Sequence, residues 1–105
     1  MSFQIKETSL FSRDFRRALQ YIAGELGNPQ AAARLLEEYE RVADRVSRFP
    51  FAEPRYDGDR ERKLEYRFAK VRNYLAFFTV SGETVTFRRF LYARSDLPSR
   101  LEYEQ

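Results

Sequence analysis

The sequence predicts an α+β domain in which a helical hairpin packs on one face of a small, mainly antiparallel sheet, as a two-layer sandwich. Two amphipathic helical patterns precede residue 50, and strand-like alternation dominates after residue 64. A chain of 105 residues is long enough for one hydrophobic core, so residues 1–105 are predicted to form a single domain. The expected element order is β-α-α-β-β-β, followed by a short C-terminal helix.

The two predicted helices cover residues 9–26 and 29–48 and are joined by the sharpest turn signal in the chain. Gly27 suits the left-handed residue that follows a helix end. Asn28 suits an N-cap and Pro29 the first helical position, where its missing amide costs nothing. Two helices joined so tightly are expected to lie antiparallel to each other.

The remaining segments read as strands because apolar and polar residues alternate in them. Apolar side chains on both faces of residues 71–80 predict a central strand that is covered on both sides. Gly82 supplies a tight turn to the last strand, and residues 97–101 predict the terminal helix. The predicted strands cover residues 2–6, 64–69, 71–80 and 84–93.

Regular alternation along the last strand predicts two faces. One face is expected to carry Val85, Phe87, Arg89 and Leu91, and the other Thr86, Arg88, Phe90 and Tyr92. Arg89 is interpreted either as a contact to a target or as the partner of Asp96 or Glu65 in an internal ion pair. The phenylalanines of the last two strands are expected to be sheet core.

Composition excludes several kinds of chemistry. The chain has no cysteine and no histidine, which removes thiolate metal sites and nucleophiles that depend on histidine. We therefore expect no metal and no cofactor. Any catalysis would rest on Arg, Lys, Tyr, Glu or Asp.

Positive charge is concentrated in the strand region. The formal net charge is only +3, but residues 60–94 carry 9 Lys and Arg against 3 acids. An anionic partner is therefore plausible. Because no apolar run reaches the roughly 20 residues of a membrane helix and the first residues do not form a signal peptide, we expect a soluble cytoplasmic protein with no membrane partner.

The chain resembles the RelE/ParE superfamily of toxins from bacterial type II toxin–antitoxin systems, over nearly its whole length. The final segment is similar to the family ending R-V-L-Y-G-R-R-D-L, with Ala93 and Ser95 in place of the usual Gly and Arg. The segments that carry the resemblance are Asp14-Phe15, Tyr21-Ile22, Leu26–Ala32, Phe49-Pro50, Val71–Leu75 with Phe77-Phe78, and Arg89–Leu97.

This resemblance implies a cytoplasmic toxin that is neutralised by a cognate antitoxin in a hetero-oligomer. ParE-like members block DNA gyrase, whereas RelE-like members cut messenger RNA on the ribosome without a metal. If the sheet face away from the helical hairpin carries part of the aromatic set, it would be exposed in the free toxin and available to the antitoxin.

Two sets of site residues follow from the two branches. For a ribonuclease, the candidate catalytic residues are Arg67, Arg89, Tyr92 and Arg94. For contact with a target or nucleic acid, the candidates are Arg62, Lys63, Lys70 and Arg72. Leu75 stands where the ribonuclease branch commonly has an arginine, which favours the ParE-like branch. A general nucleic-acid-binding module is a third hypothesis, although no RNA-binding fingerprint is present.

Overall fold

A four-stranded sheet forms the centre of the molecule. The computed structural model describes residues 2–56 and 64–102. The strands are β1 (Gln4–Glu7), β2 (Arg67–Val71), β3 (Tyr74–Ser81) and β4 (Thr84–Tyr92), in the spatial order β1-β4-β3-β2. Strands β2, β3 and β4 form an antiparallel meander, and β1 adds in parallel to β4. The sheet is therefore mainly antiparallel, as predicted.

The helical hairpin consists of α1 (Ser9–Gln20), a π-helical turn (Tyr21–Glu25) and α2 (Pro29–Arg48). The predicted turn is confirmed, because Gly27 has a φ of 61° and the Asn28 side chain accepts from the Ala31 amide at 3.0 Å. A continuous helix to residue 26 was predicted, but the α-helix gives way to the wider π turn at Tyr21.

The main core lies between this hairpin and the sheet. Phe11 and Tyr39 pack from the helices against Phe87 and Phe90 of β4, with ring centroids 5.5 to 6.4 Å apart. Both helices contribute the apolar stripe that their spacing predicts. The fully buried aliphatic members are Leu35, Val42, Val46, Val71 and Val85.

A second, smaller core lies on the opposite face of the sheet. Phe77 and Leu91 pack there with Tyr66 and with Leu101 of the C-terminal helix α3 (Leu97–Glu102). Tyr56 meets the Phe77 ring edge-on at 5.4 Å. The apolar centre of this face is therefore covered within the chain itself, and is not the exposed surface that a hairpin on one side alone would leave.

A β-bulge in β4 changes the predicted faces of that strand. Phe78 pairs with Phe87 while Phe77 pairs with Arg89, so Arg88 is an extra residue on β4. One extra residue reverses the alternation beyond it. Phe90 consequently joins Phe87 in the main core and Leu91 joins the second core, which corrects the predicted grouping.

The boundary between β2 and β3 also differs from the prediction. Val71 ends β2 instead of beginning the next strand, and Arg72-Asn73 form a two-residue hairpin loop. Arg72 has a φ of 55°, a left-handed conformation that costs a residue other than glycine roughly 1–2 kcal/mol. In the β3–β4 hairpin, Gly82 takes a φ of 58° without this cost.

Candidate functional site

A groove of about 670 Å³ opens between the end of the helical hairpin and one end of the sheet. Its helical wall comes from the π turn and the start of α2, and its other wall from the β2–β3 loop and the strands beside it. The helical wall contains Tyr21, Ile22, Leu26, Ala31, Arg34 and Leu35. The sheet wall contains Arg72, Asn73, Tyr74 and Tyr92.

The π turn forms part of this wall. The Leu26 amide donates to the Tyr21 carbonyl at 3.0 Å, which is the five-residue spacing of a π-helix. Tyr21 is 49% exposed although it belongs to the hairpin that supplies the main core. π turns are rare in proteins, and those that occur are often found at functional sites. The π turn therefore marks this groove as a candidate functional site.

Three tyrosines, Tyr21, Tyr74 and Tyr92, line the groove. The Tyr74 ring stacks on Phe90 at 4.9 Å and meets the Tyr92 ring edge-on at 5.7 Å. Burial raises the pKa of Tyr74, and the neighbouring phenols of Tyr21 and Tyr92 raise it further. Like any tyrosine hydroxyl at neutral pH, that of Tyr74 is protonated and can donate a hydrogen bond.

Two arginines bring positive charge to the same groove. Arg34 and Arg72 are both exposed, and no carboxylate side chain is among the lining residues. The pKa of Glu38 on α2 is lowered, chiefly by the hydrogen bond from Arg41 and also by the charges of Arg41, Arg72 and Arg45. Arg72 is thus near enough to Glu38 on α2 for its charge to be felt there. Such a groove favours a ligand that is both apolar and anionic.

Some of the predicted site residues lie at this groove and others do not. Tyr92 and Arg72 line it. Lys70 is exposed on the edge strand β2, and Arg94 is exposed in the turn after β4. Arg62 and Lys63 lie outside the described residues.

Arg89 is buried, with 3% of its surface exposed. Its Nε and Nη2 donate to the two carboxylate oxygens of Asp14 at 2.6 and 3.1 Å, and its Nη1 donates to the Arg100 carbonyl at 2.7 Å. The predicted internal partner, Asp96 or Glu65, is therefore wrong, because the partner is Asp14 of α1. A guanidinium enclosed in this way joins α1, β4 and α3 and has little capacity left to contact a bound phosphate.

Arg67 lies at the other end of β2 from Arg72, roughly 17 Å along the strand. Its guanidinium carbon lies 5.2 Å from the centre of the Phe51 ring, and its Nη1 donates to the Glu53 carbonyl at 2.6 Å. It borders a separate cavity of about 360 Å³ that also contacts Thr79 and Arg88. The described catalytic candidates thus do not converge on one pocket.

Sequence reasoning missed Tyr21 and Arg34 as residues of this groove. Tyr21 is an aromatic residue at the point where the helical pattern weakens before Gly24, and that was the available signal. Arg34 gave no signal, because one arginine on a charged helix usually belongs to a solvated face.

The fold is that of a small α+β protein with a helical hairpin on a mainly antiparallel sheet, and comparisons with known proteins give the family. The sequence profile of the family described as "ParE toxin of type II toxin-antitoxin system, parDE" matches residues 5–97. The chain therefore belongs to the ParE toxin family, within the RelE/ParE superfamily. It is a toxin of a type II toxin–antitoxin system, which implies an antitoxin partner.

Ten chains of solved structures match this fold. One is described as "Chromosomal ParDE TA system from P. aeruginosa", with a TM-score of 0.70 and 13% sequence identity. The match covers 89% of this chain and 98% of that chain, so the ParE-like fold extends over both. No curated protein sequence matches this chain significantly. Among the described residues, no helix is long and apolar enough to cross a membrane.

Proposed function

We propose that this toxin stops growth by inhibiting DNA gyrase in the cytoplasm, and that its antitoxin relieves the inhibition. The observation that carries the proposal is the ParE family match over residues 5–97. A ribosome-dependent ribonuclease is the less favoured function, for reasons that lie in the central strand and in the positions of the arginines.

The central strand supports this choice. Strand β3 has the sequence YLAFFTVS and contains no Lys or Arg. A metal-independent ribonuclease needs cations that stabilise the crowded charge on the reacting phosphate. Leu75 packs against the second core, and a leucine at this point offers no such stabilisation.

The distribution of arginines supports the same choice. Of the four candidate catalytic residues, Arg89 is held by Asp14 and Arg100 in the interior. Arg67 donates a hydrogen bond to the Glu53 carbonyl. It lies at the end of β2 that is far from Tyr92. A nuclease site needs its groups within hydrogen-bond reach of one phosphate, and these groups are spread over the molecule.

Exposed cations near the β2–β3 loop are the proposed contacts to the gyrase–DNA complex. Lys70 and Arg72 are both exposed there, with Arg62 and Lys63 as further proposed contacts earlier in the chain. Charges at an interface rim act mainly on the association rate and its salt dependence.

The test is a supercoiling assay with purified gyrase and the purified toxin. We expect the toxin to block supercoiling, and Lys70→Glu/Arg72→Glu to weaken the block more than Arg16→Glu/Arg17→Glu, a pair with the same charge change on α1. Expression in growing cells should cause filamentation and DNA damage signalling. Cut transcripts on ribosomes together with full gyrase activity would contradict the proposal and favour the ribonuclease.

A further inference from the structure

We propose that the cavity of about 360 Å³ beside the start of β2 is a binding site for a free nucleotide. Arg67 and Arg88 hold the phosphate there, and Phe51 contacts the base. The inference goes beyond the inhibition of gyrase, because the described residues that line the groove between the hairpin and the sheet all differ from those that line this cavity. It concerns binding and not cleavage.

A step between two strand ends forms this cavity. Strand β2 begins at Arg67, which pairs with Phe78, whereas β3 continues to Ser81. A volume of about 360 Å³ is near the lower end of the usual range for ligand pockets, so it suits a ligand of the size of one nucleotide. The lining residues on which the inference depends are Phe51, Glu65, Arg67, Thr79 and Arg88.

Two arginines from different strands supply the positive charge. Arg88 is the extra residue of the β4 bulge, and its Nε donates to the Thr79 hydroxyl at 2.8 Å. The Arg67 Nη1 donates to the Glu53 carbonyl at 2.6 Å. Both acceptors are uncharged oxygens, so these bonds orient the guanidinium groups without cancelling their charge. A planar guanidinium matches the oxygens of a phosphate, and two of them therefore favour a phosphorylated ligand over a neutral one.

The carboxylates near the cavity are paired with other arginines. Glu65, which lines the cavity, accepts from the Arg55 Nη1 at 3.1 Å. The Glu53 carboxylate accepts from the Arg45 Nε at 3.2 Å. Among the residues that the structure describes, no carboxylate pairs with Arg67, so its charge is available to an anion.

The same carboxylates favour a single nucleotide over a nucleic-acid strand. Affinity for a strand depends on the neutralisation of many phosphates, and the interfaces that bind strands are strongly positive. The whole chain has a formal net charge of only +3. Glu53 and Glu65 would repel the further phosphates of a strand, whereas a free nucleotide places its one phosphate between the two arginines.

Phe51 gives the cavity an exposed aromatic surface. The buried Pro50 begins a short 3₁₀ turn, Pro50–Ala52, that leaves the Phe51 side chain exposed. The Phe51 ring meets Phe3 edge-on at 6.0 Å, and the Arg67 guanidinium carbon lies 5.2 Å from its centre. These contacts hold the ring in place before a ligand binds. Bases stack on aromatic rings and on arginine guanidinium planes, so Phe51 and Arg67 offer a surface for a base.

The first test measures the binding of AMP and of ribose 5-phosphate to the purified toxin by isothermal titration calorimetry. We expect one site per chain, with AMP bound at least about 5-fold more tightly than ribose 5-phosphate, because only AMP carries a base. Absence of AMP binding at about 5 mM would overturn the inference. Equal affinities for the two ligands would also overturn it, because they would show that the site binds a phosphate alone.

Paired charge variants test the role of the two arginines. Arg67→Gln/Arg88→Gln changes the cavity, and Arg16→Gln/Arg17→Gln makes the same change in net charge on the exposed side of α1. We expect the dissociation constants of both ligands to rise at least about 10-fold for the cavity variant and less than about 2-fold for the control. Equal affinities for the two variants would contradict the proposed site.

Two phenylalanines of similar exposure provide a test that keeps both arginines. Phe51 lines the cavity and is 60% exposed, whereas Phe49 is 63% exposed and is not among the described lining residues. Phe51→Ala should weaken AMP binding at least about 5-fold and leave ribose 5-phosphate binding within about 2-fold, and Phe49→Ala should change neither. If the arginine variant unfolds, wild-type AMP affinity of Phe51→Ala is the outcome that overturns the inference.

A single-stranded oligoadenylate distinguishes a free nucleotide from a strand. We expect about six linked adenylates to bind no more than about 3-fold more tightly than AMP. Tighter binding that Arg67→Gln/Arg88→Gln abolishes would assign the cavity to nucleic acid and overturn the inference. All these measurements use the toxin alone, so failure of the wild-type toxin to inhibit gyrase would leave them unchanged, and the two proposals fail separately.

Discussion

At the scale of single residues, Arg89 and Asp14 form a buried ion pair in which each charge would be costly without the other. Both side chains are only 4% exposed, and the carboxylate also accepts the Phe90 amide at 3.1 Å. Asp14 thereby satisfies a strand amide on β4 beyond the end of β1, which pairs only with residues 84–87. The pair thus closes the part of this sheet edge that lies beyond the end of β1.

Removing one partner of this pair should be far more costly than removing both. Asp14→Ala leaves a buried guanidinium without its counter-charge, so we expect a loss of about 3–5 kcal/mol in the free energy of unfolding. Asp44→Ala, which breaks an exposed pair with Arg48, should cost less than about 1 kcal/mol.

Urea unfolding at pH 7 measures the free energy of unfolding of Asp14→Ala and Asp44→Ala. The double variant Asp14→Leu/Arg89→Met should regain much of the lost stability, because neither buried charge remains. Similar losses for Asp14→Ala and Asp44→Ala would contradict this account of the buried pair.

At the scale of elements, the N-caps of α1 and α2 differ in the parts of the chain that they connect. Asn28 caps α2 alone, through the Ala31 amide. The Thr8 hydroxyl accepts from the Phe11 amide at 3.0 Å and donates to the Arg88 carbonyl at 3.1 Å. Arg88 is the extra residue of the bulge, so Thr8 joins the start of α1 to the irregular part of β4.

Truncating each cap should reveal this difference. We expect Asn28→Ala to cost about 1 kcal/mol and Thr8→Ala about 2 kcal/mol, because the second change loses two hydrogen bonds. Ser12→Ala, in the exposed interior of α1, should change stability by less than about 0.5 kcal/mol. Thermal and urea unfolding of the three variants give the order, and equal costs for the two caps would show that the bond to Arg88 contributes little.

At the scale of the whole molecule, the C-terminal helix α3 shields the second core from water. Leu101 is 1% exposed and packs with Phe77, Tyr66 and Leu91. The Arg100 carbonyl accepts from Arg89, so α3 is tied to the buried ion pair as well. Six helical residues thus connect the second core with the first.

Leu101→Ala should therefore destabilise the protein by about 2–4 kcal/mol, since it opens a cavity over a buried aromatic ring. Leu36→Ala, at a leucine that is 40% exposed, should cost less than about 1 kcal/mol. Chemical denaturation measures both costs, and binding of a hydrophobic dye should rise only for Leu101→Ala. Comparable losses at the two leucines would contradict a packed second core.

Local signals in the sequence determined most of the architecture. Helical spacing, the Gly27-Asn28-Pro29 turn and strand alternation depend on neighbouring residues, so the element order and the full range of α2, Pro29–Arg48, could be predicted. The main core followed, because each amphipathic element must bury its apolar face.

Tertiary structure decided what depends on residues far apart in the chain. Asp14 and Arg89 are 75 positions apart, and no local pattern identifies one as the partner of the other. The bulge at Arg88 became predictable only from the register with β3, and it moved Phe90 and Leu91 to opposite faces. The groove needed Tyr21, Arg34, Arg72 and Tyr92 from four separate segments. The sequence alone thus determined the elements and the resemblance to toxins, whereas packing among distant segments formed the candidate site.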